Sequence, residues 1–248
     1  MVNLNINKFL IKSIEVITDL PKQKQALIIK NRNKFLFKNC VELDYPLQEL
    51  KNKEIKELTK SSWFLINYIP LYQDITALSK MILQFKDGKK DIVDYWIKTA
   101  QKALKDENFD YIFRPLSSQE TDKVIKQPLD YLGKAISKNN NFIPDFFKKK
   151  EKHIPLHLLK NKEERECILK KIYQLNHYKI DLNGKRVLII DDIISSGTTI
   201  KILTKILNKE YPTIEVCCFV LAETSHTILI NKFMIMENIR ANIKKTLF

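Results

Sequence analysis

Residues 187–199 read VLIIDDIISSGTT. Two adjacent carboxylates, Asp191 and Asp192, follow an unbroken apolar run. Like charges side by side repel, and a dry sheet edge offers them no compensation. They make chemical sense beside hydroxyl groups or a cation. Ser195, Ser196, Gly197, Thr198 and Thr199 come next. Hydroxyls donate hydrogen bonds, and the first N–H groups of a helix lack internal partners and favour an anion. Glycine permits a tight turn and a close approach of backbone to a ligand. Carboxylates that accept from sugar hydroxyls, followed by amides that hold a phosphate, make a cradle for a sugar phosphate. The competing account is ordinary turn and cap chemistry, which the same residue types favour. The Gly-x-x-x-x-Gly-Lys spacing of a nucleotide phosphate loop is absent.

Such a cradle needs a strand that ends at the acids and a helix that starts after them. The run 187–190 suits a central parallel strand covered on both faces. GTTIKILTKILNKE suits the helix, and TIEVCCFVLAET a further strand. Upstream, ITALSKMILQF (75–85) and DIVDYWIKTAQKAL have helical apolar spacing, with Asp91 placed to cap the second. FDYIF reads as a short strand, PLDYLGKAIS as a helix with Pro128 in its first turn, and EERECILKKIYQL as another helix. Strands alternating with helices predict an α/β fold with a parallel sheet. Ligands in such sheets bind beyond the carboxyl ends of the strands. The loop RPLSSQE after DYIF leaves a strand at that end too. There Arg114, Ser117 and Ser118 offer donors to an anion or make a plain turn.

Residues 139–163 are basic and carry prolines, which marks an excursion from the core with short strands in it. Its run Lys148, Lys149, Lys150 and Lys152 is either a solvated face or a set of mobile cations. His153 and His157 are spaced to share a helix face, but Pro155 between them argues against a metal pair. Residues 1–72 read as irregular and β-rich, with SIEVI, ALIIK and WFLINYI as strands and no evident chemistry. The predicted organisation is therefore 1–72, a core over 73–226, and a basic amphipathic helix over 227–248.

The chain has 248 residues, 44% hydrophobic, enough to bury a core without staples. Its net charge of +14 is spread along the sequence. That fits either a surface attractive to phosphates or a lysine-rich composition. Cys40, Cys167, Cys217 and Cys218 have no zinc spacing and read as free thiols. The N-terminus has no secretory pattern, and no apolar run approaches the ~20 residues of a membrane span. A cytoplasmic protein without membrane contact is expected.

The segment from Val187 to Thr199 resembles the phosphoribosyl pyrophosphate (PRPP) motif of type I phosphoribosyltransferases: apolar run, two acids, spacer, hydroxyl, glycine, small residue, threonine. Ser196 stands where threonine is more frequent. The resemblance implies that Asp191 and Asp192 bind the ribose hydroxyls of PRPP. It implies that Ser195, Ser196, Gly197, Thr198 and Thr199 hold its 5-phosphate. Magnesium on the diphosphate is implied as well, a hard cation that takes oxygen ligands. Arg114, Ser117 and Ser118 fall where this family binds pyrophosphate. Lys150 and Lys152 fall on its flexible loop, which would exclude water from the reaction. The implied reaction displaces pyrophosphate from the anomeric carbon with a nitrogen nucleophile, a pentosyl transfer of the glycosyltransferase kind.

ALSKMILQFKDGKKDIVDYW, DYIFRPLSS, KQPLDYLGKAIS and LKNKEERECI, in that order, look like the blocks of ComF-type, competence-associated proteins. Those proteins commonly begin with a four-cysteine zinc ribbon. Here the first 150 residues hold only Cys40, and VIKQP stands where RGFNQ is familiar. Two expectations follow. One is a phosphoribosyltransferase acting on PRPP and an unidentified nitrogenous acceptor. The other is a ComF-like DNA- or protein-binding factor that keeps the PRPP pocket, its basic charge favouring DNA. DNA and a second copy of the chain are candidate partners.

Overall fold

The computed structural model describes residues 45–68, 77–121, 127–159 and 161–224. SIEVI, ALIIK, Cys40 and the expected helix over 227–248 lie outside these. The elements are β1 (Gln48–Glu49), α1 (Lys53–Leu58), β2 (Ser61–Tyr68), α2 (Ala77–Lys86), α3 (Lys90–Ala103), β3 (Tyr111–Phe113) and α4 (Pro128–Ile136). Then come β4 (Phe142–Ile143), β5 (Phe147–Lys149), a 3-10 turn (Leu156–Leu158), α5 (Lys162–Ile172), β6 (Tyr173–Leu175), β7 (Arg186–Ile194), α6 (Thr198–Glu210) and β8 (Glu215–Thr224).

Among the described residues, six strands form the main sheet in the order β1-β2-β8-β7-β3-β4. All neighbours are parallel except β1, which runs antiparallel to β2 at the edge. The α/β expectation with a mainly parallel, helix-flanked sheet therefore holds. Both central strands, β7 and β8, are buried along most of their length, which is why they read as unbroken apolar runs. Side chains alternate between the two faces. Val187 and Ile189 pack in one core with α6, α5 and the β5–β6 pair. Leu188 and Ile190 pack in the other with Ile82 and Phe85 of α2 and Trp96 of α3. Among the described residues no helix is long and apolar enough to cross a membrane.

Several expected boundaries shift. WFLINY, expected within the N-terminal region, lies in β2, which pairs with β8 from Ser61 to Tyr68. β8 is buried on both faces, so the backbone N–H and C=O groups along each of its edges need strand partners. β7 does not end at Ile190 but continues through the acids to Ile194, held by β8. The helix expected through Leu175 stops at Ile172, and Tyr173–Leu175 becomes β6, paired antiparallel with β5. Tyr173 leaves the helix because its hydroxyl is fixed elsewhere, accepting from Leu116 N at 3.0 Å and donating to Leu116 O at 2.9 Å. Asp91 sits in the first turn of α3 and Lys89 is the N-cap, so the carboxylate acts on the helix dipole and not as the cap.

α4 lies close against β4. A Cβ on Gly133 would stand 2.3 Å from the Phe142 ring. Gly133→Ala is expected to destabilise the protein by about 1–3 kcal/mol through overpacking, read from the urea midpoint. Adding Phe142→Leu should recover part of the loss; strictly additive losses would contradict this contact.

Candidate functional site

The acids sit where the sheet opens. β3 pairs with β7 only as far as Phe113 opposite Ile189, while β8 continues beside β7 past Asp191. Beyond Ile189 one side of β7 therefore has no strand against it within this pairing. Ligands in parallel sheets bind beyond this carboxyl end of the strands. Alternation sends Asp191 to the face of Val187 and Ile189, and Asp192 to the face of Leu188 and Ile190. The surroundings agree. Asp191 feels Arg114 and lies in the electrostatic neighbourhood of Tyr173 and Cys218. Asp192 lies 3.3 Å from the ammonium of Lys86, the last residue of α2.

Each carboxylate also holds the turn of the chain. Asp191 Oδ1 accepts from Asp192 N at 2.9 Å, and Asp192 Oδ1 accepts from Ile193 N at 2.6 Å. Burial pushes the Asp191 carboxyl up to about 7, and the Asp192 charge adds to this. Lys86, the Asp192 N–H and Arg114 pull the other way. For Lys86, burial works to lower its pKa, but Asp192 and Asp191 outweigh it and raise it. Both acids keep partial solvent exposure, Asp192 at 15%. Lys86 is a neighbour of the acids that the sequence reading did not place there. The available signal was its place at the end of a helix whose apolar face must lie on this sheet.

The Ser195–Thr199 positions run straight on from β7. Ser195 is exposed, Ser196 and Thr199 are half-buried, and Gly197 and Thr198 are buried. The hydroxyls of Ser196 and Thr198 lie 2.8 Å apart. Gly197 is the N-cap of α6 with φ 73°, and no side chain caps the helix. The first N–H groups of α6 are thus left for another acceptor. Asn52, itself the N-cap of α1, donates to Ser196 O at 3.2 Å and braces the turn. The left-handed φ is the tight turn expected of this glycine, and packing adds a second requirement. A Cβ there would meet Asn52 Nδ2 at 2.9 Å and Ile55 Cγ1 at 3.0 Å, so the face left open by Gly197 is filled by α1.

The loop after β3 turns its arginine inward. Arg114 is 1% exposed. Its guanidinium donates to Glu120 at 2.9 and 2.8 Å, to Asp130 at 2.5 Å and to Pro115 O at 3.0 Å. Glu120 also accepts from Ser117 N at 2.7 Å, so that amide is taken. Burial opposes the arginine's charge, but Glu120 and Asp130 outweigh it and raise its pKa. The arginine shapes the loop from inside. Ser117 and Ser118 remain half-buried at its tip.

The lysine run is likewise divided. Lys149 is buried, and its ammonium donates to Ser117 O. Burial lowers it to about 8, while Glu120 pulls it back up. Lys150 and Lys152 are exposed, and the Lys150 backbone is tied to Ile172 O at 3.0 Å. The His153 N–H donates to Ser118 O at 3.1 Å, so this segment lies on the 114–121 loop. The His157 side chain lies outside the described residues. Among the described residues no three His, Cys, Asp or Glu side chains converge as a metal cluster.

A family model described as "Phosphoribosyl transferase domain" matches residues 146–244, a stretch shorter than half the chain that contains both acids and the turn after them. No curated protein matches the sequence. Two solved adenine phosphoribosyltransferases are similar to this chain. The first shares 17% identity at a TM-score of 0.35, covering 56% of this chain and 74% of its own. The second, from Saccharomyces cerevisiae and complexed with an imino-altritol bisphosphate and adenine, shares 15% at 0.35, covering 75% and 88%.

Arg114→Met leaves Glu120 and Asp130 buried without their cation. It should lower the unfolding free energy by about 3–5 kcal/mol in urea titration. Wild-type stability with lost affinity for phosphate would return the arginine to the binding site. Gly197→Ala should destabilise the ligand-free protein by about 1–3 kcal/mol, because both its φ and its clash with α1 oppose a side chain. Unchanged melting with lost phosphate affinity would mark the glycine face as the ligand's.

Proposed function

We propose that this chain binds PRPP at the turn between β7 and α6 and transfers its phosphoribosyl group to a nitrogenous acceptor. One observation carries the reading. Partly exposed carboxylates end the apolar stretch of a central strand and lead, through hydroxyls, into a helix whose first turn no side chain caps. The family match over residues 146–244 supports it.

Asp191 and Asp192 accept hydrogen bonds from the ribose hydroxyls and fix the ring. The N–H groups of α6, with the hydroxyls of Ser195, Ser196, Thr198 and Thr199, hold the 5-phosphate. The bond from C1 to the diphosphate oxygen breaks, a bond from C1 to the acceptor nitrogen forms, and the proton that nitrogen sheds passes to the departing pyrophosphate or to water. Positive charge grows on the sugar in the transition state, and fixed carboxylates stabilise it. A magnesium ion bound with PRPP would take oxygen ligands, the diphosphate and water among them. When bound, it neutralises charge on the leaving group. The hydroxyls of Ser117 and Ser118 are the candidate contacts to that group. Lys150 and Lys152 are exposed cations beside it.

A second reading, a ComF-like DNA- or protein-binding factor that keeps the pocket, draws on one feature. Arg114 and the Ser117 amide are taken up by Glu120, which leaves the diphosphate side thinly equipped. The same experiment serves both readings. Calorimetric titration with PRPP and magnesium should show binding. Changing Asp191 and Asp192 to Asn should weaken it at least about tenfold, as expected for lost hydrogen bonds to charged groups, with melting retained. Wild-type affinity in that variant would remove the acids from the site. A pyrophosphate-release screen over nitrogenous bases then separates the readings, since binding without release for any base favours the second.

A further inference from the structure

The sheet splits the acid pair, and the two carboxylates keep different company. Asp192 faces α2, where the Lys86 ammonium lies 3.3 Å away. Lys86 closes a helix whose Ile82 and Phe85 are buried in the same core as Leu188 and Ile190. Its root is therefore fixed, while its side chain stays about half exposed, at 48%. We infer that Lys86 is a positioning residue of this site: a resident cation that clamps the Asp192 carboxylate on the α2 side of β7 and sets the charge the pair presents to a ligand. The phosphoribosyl reading enters only through the identity of that ligand.

Among the described residues, the groups around the pair come from several elements. They are Lys86 from α2, Arg114 after β3, Tyr173 from β6 and Cys218 from β8, with Tyr68 at the end of β2 beside Lys86. Burial pushes the Tyr173 phenol and the Cys218 thiol up, so both are neutral at ordinary pH. The Arg114 charge is balanced within hydrogen-bonding distance by Glu120 and Asp130. Of the two cations that act on Asp191, Lys86 exerts the larger pull and Arg114 the smaller. Lys86 gives Asp192 a fixed partner while leaving lone pairs on that carboxylate for a hydroxyl donor. Asp191 shows no ion pair among the described residues, and burial, followed by its neighbour's charge, raises its carboxyl. Lys86 opposes that rise, so removing the ammonium drives Asp191 further up. Ligand binding that requires ionised acids then begins at a higher pH.

The test is an NMR titration of isotope-labelled aspartate carboxyls in the full chain, assigned with Asp191→Asn. Lys86→Met should move the Asp191 midpoint up by about one pH unit, and Lys86→Arg should restore it. Melting temperatures check the fold, and Lys86→Gln replaces the Met variant if that one does not fold. An unchanged Asp191 midpoint in a folded variant overturns the inference. In parallel, calorimetry with ribose 5-phosphate across pH should show its acid limb displaced in the same direction. If the wild type binds no ribose 5-phosphate at any pH, the phosphoribosyl reading fails, and the carboxyl titration still decides the role of Lys86.

Discussion

β7 is hydrogen-bonded to β8 from Arg186 to Ile194 and to β3 over its first part. With a partner on both sides the strand cannot roll. The alternation of its side chains then becomes a fixed property of the fold. Val187 and Ile189 anchor one face, Leu188 and Ile190 the other, and the acids inherit that alternation. A slip of one residue would exchange the surroundings of Asp191 and Asp192, and would set four buried aliphatic side chains against the wrong cores. Burial of those side chains is what holds two repelling carboxylates at the edge of a sheet. Because β3 stops opposite Ile189, the same ladder leaves the acids beyond the last β3 pair.

A second constraint is the buried charge near the acids. Arg114, Glu120, Asp130 and Lys149 are buried together, two of each sign. Taking such groups from water is expensive unless each finds a partner. Here the arginine fork is met by two carboxylates, and the lysine ammonium by a backbone carbonyl. The hydroxyl of Tyr173 ties the same loop to β6 at Leu116. The 114–121 loop is therefore shaped from within. Its interior charges serve its conformation, and only its tip is left to meet a ligand.

The turn after β7 is braced in the same indirect way. Gly197 takes a left-handed φ, and Asn52 and Ile55 of α1 occupy the space a side chain would need. Asn52 caps its own helix and also holds Ser196 O. On the outer side of the same helix, Lys201 of α6 lies 2.7 Å from Glu54 and 2.6 Å from Glu166 of α5. Thus α1, from a stretch that reads as irregular, fixes the N-terminus of α6.

Local pattern carried much of this protein. The apolar run before Asp191, the hydroxyl turn and the helix after it are adjacent in the chain, so residue types and spacing were enough to place strand, turn and helix. The alternation of strands and helices in the second half was likewise enough for a parallel α/β sheet. What sequence could not supply was partnership between distant residues. Whether Arg114 looks outward or inward depends on Glu120 and Asp130 reaching it across a loop. Whether Tyr173 ends a helix depends on Leu116, far upstream. β2 joins the sheet because β8 needs a neighbour, and Lys86 meets Asp192 because α2 packs on that face. Local periodicity encodes which elements form. Long-range packing and the desolvation of charge decide which side chains remain at the surface to do chemistry.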